Sequence, residues 1–243
     1  MELRGRVALV TGGGRRVGRA LAEALGRAGA NVAVHYKGSV SGANDAVASI
    51  RASGVDADAF QANLTDASSI SPLIDAVAAR FGGLDGLGNS AAVMERTPIG
   101  TVTAVQWDSM FALNLRAPFL LSQAAAPLLT AHRGAIVNMA DLAAFESWPA
   151  YVPHGISKAG IVQMTRALAR VLAPAVRVNA IAPGAVLLPD DWDDASGEHL
   201  EQTTPLRRLG SPDDVVGALL YLLGADYVTG ETIIVDGGRH VRA

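Results

Sequence analysis

Hydrophobic positions along the chain follow two alternating patterns. Short runs rich in Val, Ile and Ala are almost continuous in apolar character, as is typical of strands that are covered on both faces. They predict seven strands at 6–10, 31–35, 55–61, 84–88, 134–138, 176–181 and 232–235. Longer segments with helical period predict helices at 17–28, 41–53, 66–81, 103–131, 151–172 and 211–223.

Strand–helix alternation of this kind predicts an α/β Rossmann fold, with a seven-stranded parallel sheet and helices on both faces. No internal repeat or linker divides the chain, so we predict one domain over residues 1–243. Segment 183–204 is the exception, because its part 189–201 carries Asp and Glu but neither Lys nor Arg. Ligands of such sheets bind beyond the carboxyl ends of the strands, which makes 185–204 a candidate substrate lid. A solvated acidic loop is the alternative.

Composition excludes several classes of protein. The chain has 243 residues, of which 50% are hydrophobic and 18% charged, so a large core is expected and disorder is not. A net charge of −3 argues against nucleic acid as a partner. There is no cysteine, and His132, His199 and His240 lack metal-ligand spacing, so we expect no metal. No apolar run is long enough for a signal peptide or membrane span, so the expected location is the cytoplasm.

The first predicted strand runs into a glycine-rich loop, TGGGRRVG at 11–18, and then into a helix. Glycines let the backbone approach a pyrophosphate, and the helix start supplies amides, so the loop predicts a dinucleotide site. An NAD-selective site would carry Asp or Glu at the end of the second strand. The sequence there has no carboxylate, and Lys37, Ser39 and Arg15 can contact a 2′-phosphate. We therefore predict NADPH/NADP+ as the cofactor.

Candidate acid–base chemistry lies between Asp141 and Lys158. His154 and Lys158 are four residues apart, so they share one face of a helix that begins near Tyr151. Asp141 follows an apolar run and can reach them from the end of a strand. A carboxylate, an imidazole and an ammonium that converge at strand ends form an acid–base site. Three polar residues on a solvated loop are the alternative.

A set of short motifs runs through the whole chain. They are the 11–18 loop, Asn63-Leu64, Asn89-Ser90-Ala91-Ala92, Asn114, Ser157-Lys158, Pro183-Gly184 and Asp236-Gly237-Gly238. With these motifs the chain resembles the short-chain dehydrogenase/reductase family. The resemblance implies a cofactor site formed by Gly12, Gly14, Arg15, Arg16, Val17, Gly18, His35, Tyr36, Lys37, Ser39, Asn63, Leu64, Asn89, Ser90, Ala91, Lys158, Pro183 and Gly184.

Within that family the chain is most similar to the pteridine reductase branch and its bacterial relatives. Arg16 in the glycine loop, His35-Tyr36 at the end of the second strand and Asp141 in place of the usual serine carry this similarity. It implies that Arg16 lies against cofactor and pterin. Two positions depart from the branch, since His154 replaces the family tyrosine and Met94 replaces a stacking aromatic. The expected substrate-contacting residues are Arg16, Met94, Asp141, Trp148 and His154.

The resemblance implies a catalytic set of Asn114, Asp141, His154 and Lys158. Histidine titrates near neutral pH, so His154 is a competent acid, with Asp141 to orient or charge it. We predict an NADPH-dependent reductase that transfers hydride to a C=O or C=N group of a small molecule. The alternative is a catalytically impaired NADP(H)-binding homologue that acts as a sensor or scaffold. Predicted helices 103–131 and 151–172 are apolar on more than one face, and similar reductases pair them, which predicts a homotetramer.

Overall fold

A computed structural model of the chain describes residues 1–188 and 194–241. Its centre is a seven-stranded, wholly parallel sheet in the order β3-β2-β1-β4-β5-β6-β7, which confirms the predicted Rossmann fold. The strands are β1 (Val7–Val10), β2 (Asn31–Tyr36), β3 (Ala57–Gln61), β4 (Gly86–Asn89), β5 (Ala135–Met139), β6 (Arg177–Pro183) and β7 (Thr232–Val235). The order reverses direction between β1 and β4, where dinucleotides bind in this class of sheet.

Helices cover both faces of the sheet. They are α1 (Arg16–Arg27), α2 (Val40–Ala52), α3 (Ile70–Phe81), α4 (Ala104–Phe111), α5 (Ala117–His132), α6 (Val152–Leu172), α7 (Asp194–Thr203) and α8 (Pro212–Gly224). Buried side chains of α1, α2 and α8 form one core with the sheet, and those of α3 and α5 form a second core on the opposite face. Over the described residues, no helix combines the length and apolar character needed to cross a membrane.

The predicted helix 103–131 is interrupted in the structure. A π-helical turn, Ala112–Arg116, separates α4 from α5 and carries the buried Asn114. A capping box between Thr103 and Gln106 starts α4, so this end of the prediction is close to the observed boundary. A π turn widens the helix by one residue per turn and re-aims the side chains within it. The break therefore determines where Asn114 points.

The predicted insertion 183–204 contains a helix that the sequence analysis did not predict. Its second half forms α7, whose last turn ends beside the buried Thr204. The Thr204 hydroxyl donates to the Leu200 carbonyl at 2.7 Å, which gives a carbonyl of the last turn a hydrogen-bond partner. Residues 189–193, which include much of the acidic stretch, lie outside the described residues. A lid role for 185–204 stays a prediction.

Close packing of α1 against the glycine loop fixes the loop relative to the sheet. Gly12 has a φ of +67°, which side chains rarely tolerate, and Gly18 is buried in the first turn of α1. A methyl group at Gly18 would lie 2.3 Å from the Gly12 carbonyl oxygen. Helix and loop can therefore touch only through glycine.

Replacing Gly18 by Ala should lower the free energy of unfolding by about 2 kcal/mol, because the added methyl must push α1 away from the loop. Gly217→Ala is the matched control, since Gly217 is an exposed residue of α8 and its added methyl would meet nothing within 4 Å. The control should gain about 0.5–1 kcal/mol from reduced chain entropy. Urea unfolding measures both, and equal stability of Gly18→Ala and the wild type would contradict the packing argument.

Candidate active site

The predicted site residues gather at one edge of the sheet. The glycine loop follows β1, His35 lies near the end of β2, and Asn89 ends β4. Asp141 comes two residues after β5, and Pro183 ends β6. Because all seven strands are parallel, these carboxyl ends share one edge.

Hydrogen bonds tie the glycine loop to the neighbouring strand end. The buried Thr11 hydroxyl accepts from the backbone N–H groups of Ser90 and Ala91, at 2.9 and 3.0 Å. A methyl at Gly12 would lie 3.1 Å from the Ala91 Cα, so the two segments are in close contact. The amides of the first turn of α1, which have no partner within the helix, begin directly after this loop. The helix start therefore has the backbone donors that a pyrophosphate requires, and the packed loop holds them in place.

His35 is held inside the protein and does not face solvent. Its side chain is only 2% exposed, its Nδ1 accepts from the Gly12 N–H at 3.1 Å, and its Nε2 contacts the Ala62 carbonyl oxygen at 3.1 Å. Burial lowers the pKa of His35, and the Ala62 bond opposes that shift. The sequence predicts His35 among the cofactor contacts. In the structure both ring nitrogens are engaged by backbone groups on either side of the site.

Cationic and polar side chains lie directly before α1 and in the segment that leads into α2. Arg15 and Lys37 are exposed, while Tyr36 and Ser39 are partly buried. Ser39 directly precedes α2, so its hydroxyl and the first amides of that helix are neighbours. This set fits a phosphate group on the adenosine ribose, because positive side chains and helix-start amides both favour an anion.

The remaining predicted cofactor residues differ in exposure. Asn63 is exposed and its Oδ1 accepts from the Thr65 hydroxyl at 2.8 Å, whereas Leu64 is buried in the core. Gly184 donates its N–H to the Val235 carbonyl at 2.9 Å. The motifs Asn63-Leu64 and Pro183-Gly184 therefore include residues with structural roles in the backbone and core as well as side chains that can reach a ligand.

Arg16 joins the glycine loop to the segment after β6. Its backbone φ of +51° is unusual for a residue with a side chain. Its guanidinium donates to the carbonyl oxygens of Leu187 and Leu188, at 3.1 and 3.0 Å. Arg16 thus contacts the first residues of the candidate lid.

His154 lies in the first turn of α6 with its ring buried, and 2% of its surface is exposed. Its Nδ1 lies 3.2 Å from the Val93 carbonyl oxygen, which can only accept, so Nδ1 carries the proton. In the neutral ring Nε2 is therefore unprotonated. Within the described part of the chain Nε2 has no hydrogen-bond partner, and Asp141 Oδ2 lies 3.6 Å away. The free nitrogen is the one that can exchange a proton.

Asn114 positions the carbonyl that holds His154. Its side chain accepts from the Val93 N–H at 2.9 Å and donates to the Val93 carbonyl at 2.8 Å. The Ser157 hydroxyl donates to the His154 carbonyl at 2.7 Å and accepts from Asn114 at 3.2 Å. Asn114, in the π turn, is therefore joined by hydrogen bonds to Val93 and to the start of α6.

Lys158 is buried one turn beyond His154, with 4% of its surface exposed. Its ammonium donates to the Met139 carbonyl at 2.7 Å. Burial lowers the pKa of Lys158 to about 8, and the nearby Asp141 carboxylate opposes the shift. Asp141 itself accepts from the Ala143 N–H through Oδ1 at 2.8 Å, which leaves Oδ2 directed towards His154.

Met94 and Trp148 lie on the two segments beside the buried histidine. Met94 follows Val93 and is 41% exposed. Trp148 is partly buried, packs edge-to-face on Tyr151 with ring centroids 6.3 Å apart, and donates its indole N–H to Glu146 at 2.9 Å. A backbone bond from the Thr97 N–H to the Ala150 carbonyl, at 2.7 Å, links the two segments.

Sequence reasoning missed the backbone anchors of this site. The carbonyls of Val93, Met139 and Ala62 hold His154, Lys158 and His35, respectively. Every residue type supplies a carbonyl, so no side-chain signal marks these positions. Register in the sheet was the only clue, because Met139 ends β5.

Comparisons with known proteins agree with this geometry. A family model described as Enoyl-(Acyl carrier protein) reductase matches residues 13–240. The 3-oxoacyl-[acyl-carrier-protein] reductase FabG of Staphylococcus aureus is 36% identical over 240 residues, which cover 96% of this chain and 98% of that protein.

Two solved structures have the same fold. A Sinorhizobium meliloti 1021 protein provisionally identified as a short-chain alcohol dehydrogenase is 36% identical, with a TM-score of 0.95 over 100% of this chain and 99% of that one. A blue fluorescent protein from a metagenomic library, solved in complex with NADPH, is 31% identical with a TM-score of 0.92 over 98% and 99% of the two chains. Sequence, fold and site geometry together show that the chain belongs to the short-chain dehydrogenase/reductase family of oxidoreductases.

Proposed function

We propose that this protein is an NADPH-dependent reductase that transfers hydride to a C=O or C=N group of a small molecule. The observation that carries the proposal is the buried imidazole of His154. Its Nδ1 is fixed on the Val93 carbonyl and its Nε2 lies 3.6 Å from Asp141 Oδ2. A buried imidazole with one nitrogen anchored and the other beside a carboxylate is arranged for proton transfer.

The cofactor assignment rests on the glycine loop and on the start of α2. First-turn amides of α1 suit the pyrophosphate. Arg15, Lys37 and Ser39 suit a 2′-phosphate, and no carboxylate occupies the end of β2 where an NAD-selective site would have one. The structural relative that holds NADPH supports the same cofactor.

His154 supplies the proton in the proposed reaction. NADPH, when bound, supplies the hydride to the carbon of the C=O or C=N group. The imidazolium Nε2–H donates its proton to the oxygen or nitrogen of that group, and the ring returns to the Nδ1–H neutral form. Asp141 Oδ2 lies 3.6 Å from Nε2, so its carboxylate faces the nitrogen that exchanges the proton and can orient the ring.

Lys158 and Asn114 have supporting roles. The buried Lys158 ammonium lies one helical turn from His154 and, by the family resemblance, contacts the nicotinamide ribose. Asn114 holds Val93, and through it the tautomer of His154, so it is a positioning residue on the evidence of its contacts. We assign Arg16, Met94 and Trp148 as candidate substrate contacts.

The substrate class includes two candidates. The bacterial relative named above is a 3-oxoacyl-[acyl-carrier-protein] reductase, which favours a carbonyl substrate. Arg16 and Asp141 instead favour a pterin, through the similarity to pteridine reductases. Both belong in the substrate panel, because a 3-oxoacyl thioester presents C=O and a dihydropterin presents C=N.

The same residue also favours a second function. His154 stands where the family resemblance implies a tyrosine, so a protein that binds NADPH without turnover is the competing hypothesis.

We also propose that the protein is cytoplasmic and forms a homotetramer. The tetramer is supported by Phe119 on α5 and Ile156 on α6, which are large apolar side chains that a single subunit leaves exposed.

Replacing His154 by Ala should lower kcat by 10²–10⁴-fold, the usual contribution of a general acid. The dissociation constant for NADPH should change by less than about threefold, because His154 does not hold the cofactor. Oxidation of NADPH at 340 nm measures turnover with a 3-oxoacyl thioester, dihydrobiopterin, dihydrofolate, diketones and quinones. His132→Ala is the matched control, since His132 lies at the end of α5, beside Asp85 at the opposite edge of the sheet.

Three results separate the two hypotheses. Turnover by the wild type that is lost in His154→Ala identifies an enzyme with histidine as its acid. A silent wild type that gains turnover in His154→Tyr identifies a reductase scaffold that lacks its proton donor. Full activity of His154→Ala contradicts the assignment of His154 as the acid.

The affinity for NADPH should fall as the pH rises above about 8. The buried Lys158 has a folded-state pKa of about 8, so its ammonium is present below that pH and lost above it. The Asp141 carboxylate raises the pKa of Lys158, so Asp141→Asn should move the loss of affinity to lower pH. Fluorescence titration from pH 7 to 9.5 measures this without turnover. Lys158→Met is the reference and should show no such step, and a flat wild-type profile would contradict the role of Lys158.

Changing the charge near the adenosine ribose should change cofactor preference. Lys37→Glu should lower the ratio of NADPH to NADH affinity by about tenfold or more, because a carboxylate repels the 2′-phosphate and accepts from a ribose hydroxyl. Arg27→Glu, an exposed change in the last turn of α1, is the control and should leave the ratio unchanged. A wild-type preference for NADH would overturn the assignment.

A further inference from the structure

Two consecutive amides of the glycine loop are attached to one residue of β2. The Gly12 N–H donates to the imidazole Nδ1 of His35 at 3.1 Å, and the Gly13 N–H donates to the His35 carbonyl at 3.0 Å. These amides point into the protein and are occupied. A pyrophosphate must therefore be bound by the amides that follow, and their direction is set by how Gly12 and Gly13 are held.

The two bonds of the imidazole require a single protonation state. Gly12 donates to Nδ1, so Nδ1 must be unprotonated, and the Ala62 carbonyl accepts, so Nε2 must carry the proton. The Nε2–H neutral tautomer satisfies both groups, whereas the imidazolium would place two N–H groups against each other. Burial of the ring favours the same neutral form.

The imidazole ring also connects two segments on the side of the site proposed for adenosine. Gly12 lies in the loop after β1, and Ala62 lies directly after β3, next to Asn63 and Leu64. These segments are two strands apart in the sheet order, with β2 between them. The imidazole is therefore a rigid link between the candidate pyrophosphate loop and the candidate adenine segment.

We infer that His35 is a positioning residue for the dinucleotide site: its neutral Nε2–H imidazole orients the Gly12 amide and fixes the distance between the two segments. The inference rests on the proposed use of this site for NADPH. It assigns His35 no contact with the cofactor, and it explains why a buried histidine with both nitrogens engaged stands at the end of β2.

Replacing His35 by Asn or by Gln removes one of its two imidazole hydrogen bonds at a time. In His35→Asn the side-chain oxygen occupies the place of Nδ1 and can accept from Gly12, while in His35→Gln the side-chain nitrogen occupies the place of Nε2 and can donate to Ala62. An unpaired buried N–H is costlier than an under-used carbonyl. We expect the dissociation constant for NADPH to rise by less than about threefold in His35→Asn and by about tenfold in His35→Gln. In both variants the KM for NADPH should rise in the same order as the dissociation constant, and by a larger factor than kcat falls.

Nitrogen-15 spectra of histidine-labelled protein test the tautomer directly. The chain has five histidines, and the signals missing from His35→Asn identify His35. We expect an unprotonated Nδ1 and a protonated Nε2 at pH 7, without added NADPH. The control His132→Asn should leave both these signals and the NADPH affinity unchanged.

Equal NADPH affinities of His35→Asn and His35→Gln, or a proton on Nδ1, would overturn the inference. If one variant fails to fold, the signals missing from the other identify His35, and the wild-type spectra still decide which nitrogen accepts from Gly12. A wild type that binds no NADPH while His35 shows the expected tautomer would contradict the proposed cofactor and leave the loop anchor established, so the two failures are distinguishable.

Discussion

The common direction of the seven strands is the constraint on which the site depends. A parallel sheet places all carboxyl ends at one edge, where backbone groups beyond the last pairing are available to other partners. Met139, the last residue of β5, uses its carbonyl to hold the Lys158 ammonium. Thr11, directly after β1, accepts from two amides that follow β4. In the site, side chains thus form hydrogen bonds with backbone groups at the ends of the strands, where pairing between strands stops.

If His154 is the proton donor, as proposed, the fold must control it differently from a tyrosine. A tyrosine has an unperturbed pKa near 10 and needs a neighbouring cation to act at neutral pH, whereas a histidine titrates there without help. What the fold must supply instead is the choice of nitrogen. The Val93 carbonyl supplies it by holding Nδ1–H, and Asn114 holds Val93 in turn. In the proposed enzyme the carboxylate of Asp141 faces the free nitrogen, Nε2, at 3.6 Å.

The sequence predicts the order of the strands and helices well and their first and last residues less well. All seven strands were predicted, because continuous apolar runs leave few alternatives, although 84–88 is shifted by one to two residues from Gly86–Asn89. The π turn Ala112–Arg116 was missed because its residues suit an α-helix equally well. Helix α7 was missed because its polar sequence shows no apolar face. Side chains of the site were predicted by motif, but the orientation of His35 depends on Gly12 and Ala62, which no sequence pattern links.

The exposed position of Lys37 has a consequence for the evolution of cofactor use. The proposed pyrophosphate site is built around buried residues such as Gly18 and His35, which both contact Gly12, so changes there cost stability. Lys37 and Arg15 lie at the surface, where most substitutions cost little. With the proposed cofactor contacts, descendants of this protein can therefore exchange one dinucleotide for the other by a few mutations without loss of the folded scaffold. Selection on metabolism and selection on stability then act on different residues of the same site.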